Sequence, residues 1–223
     1  MKTSIKHLNS AIIVAACIGL IGCAASGMKN VKKSGFLGDY SQLKPGRGDQ
    51  AALVYVNPNA NYKGYTKIMF ERVTVSLAPT SGNRDIDPVA LRELTDYYHN
   101  ALVNAVKSGY QVVDKPGPDV LWVRAAIVDV VPSNPTANTL SSIVPIGVAV
   151  SAAAKATTDA TLGTGEAATE IEVLDSLTKQ RLAAAVDRRQ GGKAAFRGKW
   201  VDTKQAFDYW AKRFRQQLDT LRK

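Results

Sequence analysis

The sequence predicts an α+β fold: a mixed or antiparallel sheet of about five to six strands, covered by two main helices at 87–108 and 202–222. Three observations carry that expectation. Val120 to Val131 reads VLWVRAAIVDVV, nearly all apolar, as a central strand covered on both faces would be. Glu166 to Leu174 and Arg181 to Asp187 alternate apolar and polar residues across the turn Asp175-Ser176-Leu177-Thr178-Lys179, the pattern of a half-exposed hairpin. Phe207, Trp210, Phe214, Leu218 and Leu221 recur at helical spacing and form one bulky stripe. A helix with such a stripe must bury it, and strands in hairpin order supply the sheet that receives it.

Taken in order, Ala51 to Val56 is a short strand stopped by Asn57-Pro58, and Asn59 to Gly64 is a turn. Thr66 to Leu77 is the next strand, but its alternation changes phase at Glu71-Arg72, where a bulge would restore one apolar face. Asp87-Pro88 starts a helix, with Asp as N-cap and Pro at the first position. Leu91, Leu94, Tyr98, Leu102 and Ala105 form its apolar face, and Gly109 ends it. Tyr110 to Val113 is a short strand before Pro116-Gly117-Pro118. In the long strand that follows, Arg124 and Asp129 fall on opposite faces by parity. On the return strand, Leu182, Ala184 and Val186 share one face. Asp202 or Thr203 caps the final helix.

Two regions stand outside this pattern. Residues 139–158 are small and apolar, too short and too rich in Ala and Ser to cross a membrane. They read as a helix packed on the sheet, with a membrane- or partner-seeking arm as the alternative. At the N-terminus, Lys2 and Lys6 precede an uncharged apolar run from Ala11 to Ile21, followed by Gly22-Cys23. Positive start, short apolar core and small residue describe a signal peptide over 1–22. The Cys after the small residue resembles a bacterial lipobox. That resemblance implies cleavage after Gly22 and acylation of Cys23 by diacylglycerol and a palmitate-type chain. Two or more acyl chains hold a protein firmly at a bilayer. Ala24, rather than Asp, follows the anchor, which points to the periplasmic face of the outer membrane and less to the inner membrane.

Residues 23–48 read as a lipidated tether ending in a docking arm, and 49–223 as a single α/β domain carrying the 139–158 insertion. Within the arm, Phe36, Leu37, Tyr40 and Leu43 recur at helical spacing. The phrase GFLGDYSQL, residues 35–43, placed just after a lipobox, resembles the bacterial lipoprotein family known as domain of unknown function 3313. The resemblance runs from about Gly35 to the C-terminus. It implies an envelope lipoprotein with an α/β domain and brings no reaction or catalytic residue with it.

Composition narrows the chemistry. Cys17 and His7 leave with the signal peptide and Cys23 is spent on lipid. The mature chain therefore has no free thiol and one imidazole, His99, which excludes disulfides and multi-His or Cys metal sites. No cofactor or metal is expected. His99 could be a general base, but no nucleophile motif accompanies it, and a solvated helix residue is the plainer reading. Glu170 and Glu172 share one outward face of a strand, as glycosidase carboxylates would, and so do many surface glutamates. Gly163-Thr164-Gly165 and Gly191-Gly192-Lys193 lack the full phosphate-loop pattern.

The net charge of +10 is concentrated late in the chain: from Lys179 onward there are thirteen Lys or Arg against four Asp. Arg188, Arg189, Lys193, Arg197, Lys199 and Trp200 cluster there as a candidate anion- or partner-contacting surface. A solubilising loop is the equal alternative. Export makes nucleic acid an improbable partner for this charge. The expected function is non-enzymatic: a lipid-anchored periplasmic lipoprotein that binds an envelope protein or an anionic lipid or glycan. The alternative is a subunit of an envelope secretion or transport assembly that uses 139–158 for membrane or ring contact.

Overall fold

The computed structural model describes residues 31–79, 81, 86–133, 165–191 and 198–223. Gly22, Cys23, Lys193, Arg197 and the 139–158 segment lie outside them. The described residues form an α+β fold with eight strands, more than the five or six expected. They are β1 Lys44–Pro45, β2 Leu53–Val56, β3 Lys67–Phe70, β4 Thr74–Val75, β5 Gln111–Val112, β6 Val120–Val131, β7 Glu166–Asp175 and β8 Arg181–Gln190. The helices are α1, Pro88–Val106, between β4 and β5, and α2, Val201–Leu221, after β8.

The sheet order is β1-β2-β8-β7-β6-β3-β5, with β4 also on β6. From β1 to β6 every pairing is antiparallel, while β3, β4 and β5 join in parallel fashion. Parallel neighbours need a crossover, and α1 lies in the one that joins β3 to β5. The expected strand over 66–77 is two short strands on the same neighbour, broken at residues 71–73, where Glu71 turns to Arg124.

Both helices lie on one face of the sheet. Their core joins Leu94, Tyr98, Leu102, Phe207 and Trp210 to Ala125, Ile127, Val130 and Ala167, and Tyr98 stacks on Phe207 with ring centroids 4.6 Å apart. The helices run parallel: the Tyr97 hydroxyl meets Asp208 midway along them, and Arg215 reaches Val106 and Ser108 toward their ends. Asp87 caps α1 as expected, accepting the Val89 N–H at 3.1 Å, with Pro88 in the first turn. The start of α2 differs from expectation. Trp200 is its N-cap without a side-chain bond, because Asp202 is turned inward to accept the Ser133 hydroxyl and the Gly165 N–H.

Two bulges reassign faces. Val128 is an extra residue between the Ile127 and Asp129 pairings, so Asp129 joins Arg124 on the face away from the helices. Leu182 is extra between the Leu174 and Val173 pairings, so it packs beneath the helices while Ala184 and Val186 face the other way. That second face is covered by residues 31–43. Leu37 is buried against Ala184 and Val186 with Phe36, Tyr40 and Leu43 around it, and Phe36 also covers Ala126, Val128 and Ala168.

Candidate functional site

The arm is held by carboxylates that alternate along β7. Glu170 is fully buried and accepts the Ser34 N–H at 2.8 Å, the Leu37 N–H at 3.3 Å and the Tyr40 hydroxyl at 2.7 Å. Glu172 pairs with Arg124 at 2.6 Å and Arg181 at 3.1 Å, and Arg181 donates onward to the Leu37 and Asp39 carbonyls. Glu166 is bound by Arg188. Lys32 meets the buried Asp129 at 2.5 Å, and Ser81 donates to the same carboxylate at 2.7 Å. A buried carboxylate is tolerated only when hydrogen-bonded, and here backbone N–H groups and cations of the arm face supply the bonds. The strand expected to be half-exposed is therefore buried on both faces, and Glu170 and Glu172 are structural anchors rather than an open acid pair.

Beneath α2, on the opposite face, a crevice of about 150 Å³ opens where the helix overhangs β8 and β2. Ala183 and Ala185 form its floor; Ile171, Trp210, Phe214 and Leu218 form its walls. The hollow exists because small residues occupy β8 where α2 presents large ones. A comparable apolar cavity in another protein accommodates benzene. Asp187 closes one end, accepting the Trp210 ring N–H at 2.7 Å and the Ala52 N–H at 3.1 Å. At the rim Arg213 meets Asp49 at 2.7 Å. Within its lining Trp210 is tied to Asp187, Thr169 to Tyr98 and Arg213 to Asp49, so its mostly apolar walls can receive apolar matter.

The sequence-derived cationic cluster divides. Arg188 is turned onto the arm face with Glu166. Arg189 points to the helix face, its guanidinium 3.5 Å from the Tyr209 ring centroid. Lys199 is exposed and lies over Trp200. The glycines beside the cluster serve packing: a Cβ on Gly191 would overlap the Asp202 carboxylate, and one on Gly165 would stand 2.6 Å from the Ser133 hydroxyl. Sequence reasoning read Asp202 as a cap and Glu170 as an outward strand residue and missed their buried anchoring roles, since nothing local marks a carboxylate whose partners lie far away in the chain.

His99 sits edge-on to Phe70, its Nδ1 buried without a hydrogen-bond partner. Burial, aided by the nearby Arg72, pushes its pKa below the ordinary value. Among the described residues no group of three His, Cys, Asp or Glu could hold a metal ion, and no helix is long and apolar enough to cross a membrane.

A one-sided α+β domain, its bare face strapped by its own N-terminal arm and a crevice under its last helix, defines the class. The chain belongs to the family described as "Protein of unknown function (DUF3313)", whose model matches residues 32–214. It is 27% identical over 183 residues to the uncharacterized lipoprotein YdcL of Escherichia coli K12, covering 80% of this chain and 81% of that one. Among solved structures it is similar to the PelC dodecamer of Paraburkholderia phytofirmans (TM-score 0.41, 9% identity, 74% of this chain and 94% of that one). A minor lipoprotein of Acinetobacter baumannii is also similar (TM-score 0.35, 10% identity, 71% and 95%).

Proposed function

We propose that the chain is a non-enzymatic, lipid-anchored lipoprotein at the periplasmic face of the outer membrane, held by acylated Cys23, and that it acts as a binding module. Its crevice receives apolar side chains of an envelope protein. The observation that carries this reading is the crevice itself: apolar walls, a rim of mutually bonded charges and an opening beside the exposed Val56 of β2. Burial of side chains in a preformed apolar hollow is a common basis of protein recognition. The lipobox at Cys23 and the likeness to a named lipoprotein support the anchor. His99, edge-on to Phe70 with its Nδ1 making no hydrogen bond, supports the non-catalytic part.

Two measurements test it. Mass spectrometry of the protein extracted from cells should find Cys23 as its first residue carrying acyl mass; an unacylated Cys23 or a retained 1–22 segment removes the anchor. A photo-crosslinking residue at Val56 should give one discrete protein adduct in cells, lost when Ala185→Trp fills the hollow. An adduct pattern unchanged by Ala185→Trp removes the crevice as the binding site.

A further inference from the structure

We infer that the end of the sheet where β6 and β8 finish and both helices begin rests on the bilayer and contacts anionic phospholipid headgroups. The inference takes only the lipid anchor from the proposed function and is independent of the crevice.

The arm enters the body at this end. Among the described residues its contacts start with Val31, packed on the cluster of Ala184 and Val186, and with Lys32, whose partner Asp129 lies two residues before the end of β6. Val31 is eight positions after Cys23, so an extended tether places the body no more than about 28 Å from the lipid. The two parallel helices direct both N-termini, each with a positive partial charge, toward this end. Their first turns expose Val89 (63%) and Val201 (37%), two of the five exposed large apolar side chains among the described residues.

Charge is sorted in the same sense. Asp129, Asp202 and Glu166 are buried here, and each is bonded inward: Asp129 by Lys32 and Ser81, Asp202 by Ser133 and Gly165, Glu166 by Arg188. Of the more exposed acids, Asp87 caps α1 and Asp208 takes the Tyr97 hydroxyl, while Glu93 is exposed on the second turn of α1. The cations here are Lys199, exposed over Trp200, and the half-buried Arg189 over Tyr209 and Lys204 over Tyr97. Cations on aromatic rings beside exposed valines match the headgroup level of a bilayer, where aromatic rings keep one side wet. A folded protein partner would be met by either end equally, whereas a surface anchored at residue 23 is met by this one.

The test uses the mature chain with Cys23→Ala, so that anchoring does not mask surface binding, in co-sedimentation with vesicles. Phosphatidylglycerol-containing vesicles should retain it and pure phosphatidylcholine should not. Each basic residue near an anionic surface contributes about fivefold. The variant Arg189→Glu/Lys199→Glu/Lys204→Glu should therefore bind at least about a hundredfold more weakly. Lys107→Glu/Lys115→Glu/Lys223→Glu carries the same charge change at the opposite end and should bind like the parent. Equal loss in both variants, binding indifferent to phosphatidylglycerol, or retention by peptidoglycan sacculi instead of vesicles overturns the inference. None of these outcomes depends on whether Cys23 is acylated in cells.

Discussion

Glu170 shows how much of this fold turns on one buried charge. Its three donors all come from the arm, so removing it leaves the arm without its central bond, while the strand beneath stays paired on both sides. Hydrogen bonds to a charged acceptor contribute about 1.5–3 kcal/mol each, but the arm can peel away to water, which caps the loss. Glu170→Ala should cost about 2–4 kcal/mol in urea unfolding and should accelerate proteolysis within 31–43 beyond what that loss of global stability explains. Tyr40→Phe removes one donor and should cost about 1.5 kcal/mol. The parity of Glu170 and Glu172 was legible in the sequence; what covers them was not, because the cover comes from a segment more than 130 positions upstream, as the Ser34–Glu170 bond shows. His99 gives a second residue-scale expectation. Its depressed pKa means that below the ordinary imidazole value the unfolded chain binds a proton that the folded chain resists. Stability should therefore rise as pH increases toward the ordinary imidazole value of about 6.5 and level off above it, with His99→Phe flattening that slope in urea titrations.

At the scale of elements, α2 was the most legible and its first turn the least. The stripe of Phe207, Trp210, Phe214 and Leu218 faces the sheet as its spacing requires, since burial of large side chains decides the orientation of an amphipathic helix. Phe207 is fully buried against Tyr98, and Phe207→Ala should cost about 3–5 kcal/mol by urea unfolding. The cap was misread because Asp202 ties the ends of β6 and β7 to the helix instead of closing its own turn. That tie explains Gly191, which resembles part of a phosphate loop in the sequence but makes room for the Asp202 carboxylate. Gly191→Ala should cost about 1–3 kcal/mol, the range for overpacking, and Gly191→Ala/Asp202→Ala should recover part of it, a coupling measurable by a double-mutant cycle. The two bulges were partly legible. A phase change was visible at Glu71-Arg72, where the chain breaks into two strands, but nothing in the runs 120–131 or 181–187 announces the extra residues Val128 and Leu182.

For the whole molecule, the sheet's two faces are filled to different degrees, and that asymmetry links stability to binding. The α+β class and a sheet either mixed or antiparallel could be read from alternation and stripes, but which strands pair in parallel at the β3, β4 and β5 edge could not, since strand order is set by pairings between distant segments. Under the arm the packing is closed: Ala126 is fully buried beneath Phe36. Under α2 it is open, with Ala183 and Ala185 facing Trp210, Phe214 and Leu218 across the crevice. The same substitution should therefore have opposite effects on the two faces. Ala126→Leu has no space and should destabilise by about 1–3 kcal/mol. Ala185→Leu adds three carbons to an apolar hollow; at about 0.8 kcal/mol per buried CH₂ and with incomplete burial it should stabilise by about 1–2 kcal/mol. If the crevice receives a partner, the stabilised Ala185→Leu protein should lose the Val56 crosslink while the destabilised Ala126→Leu protein keeps it. A hollow that stabilises the chain when filled and disables it in the same step is the pattern expected where stability has been traded for a binding surface. Urea unfolding and crosslinking on the two variants in parallel measure both halves of that trade.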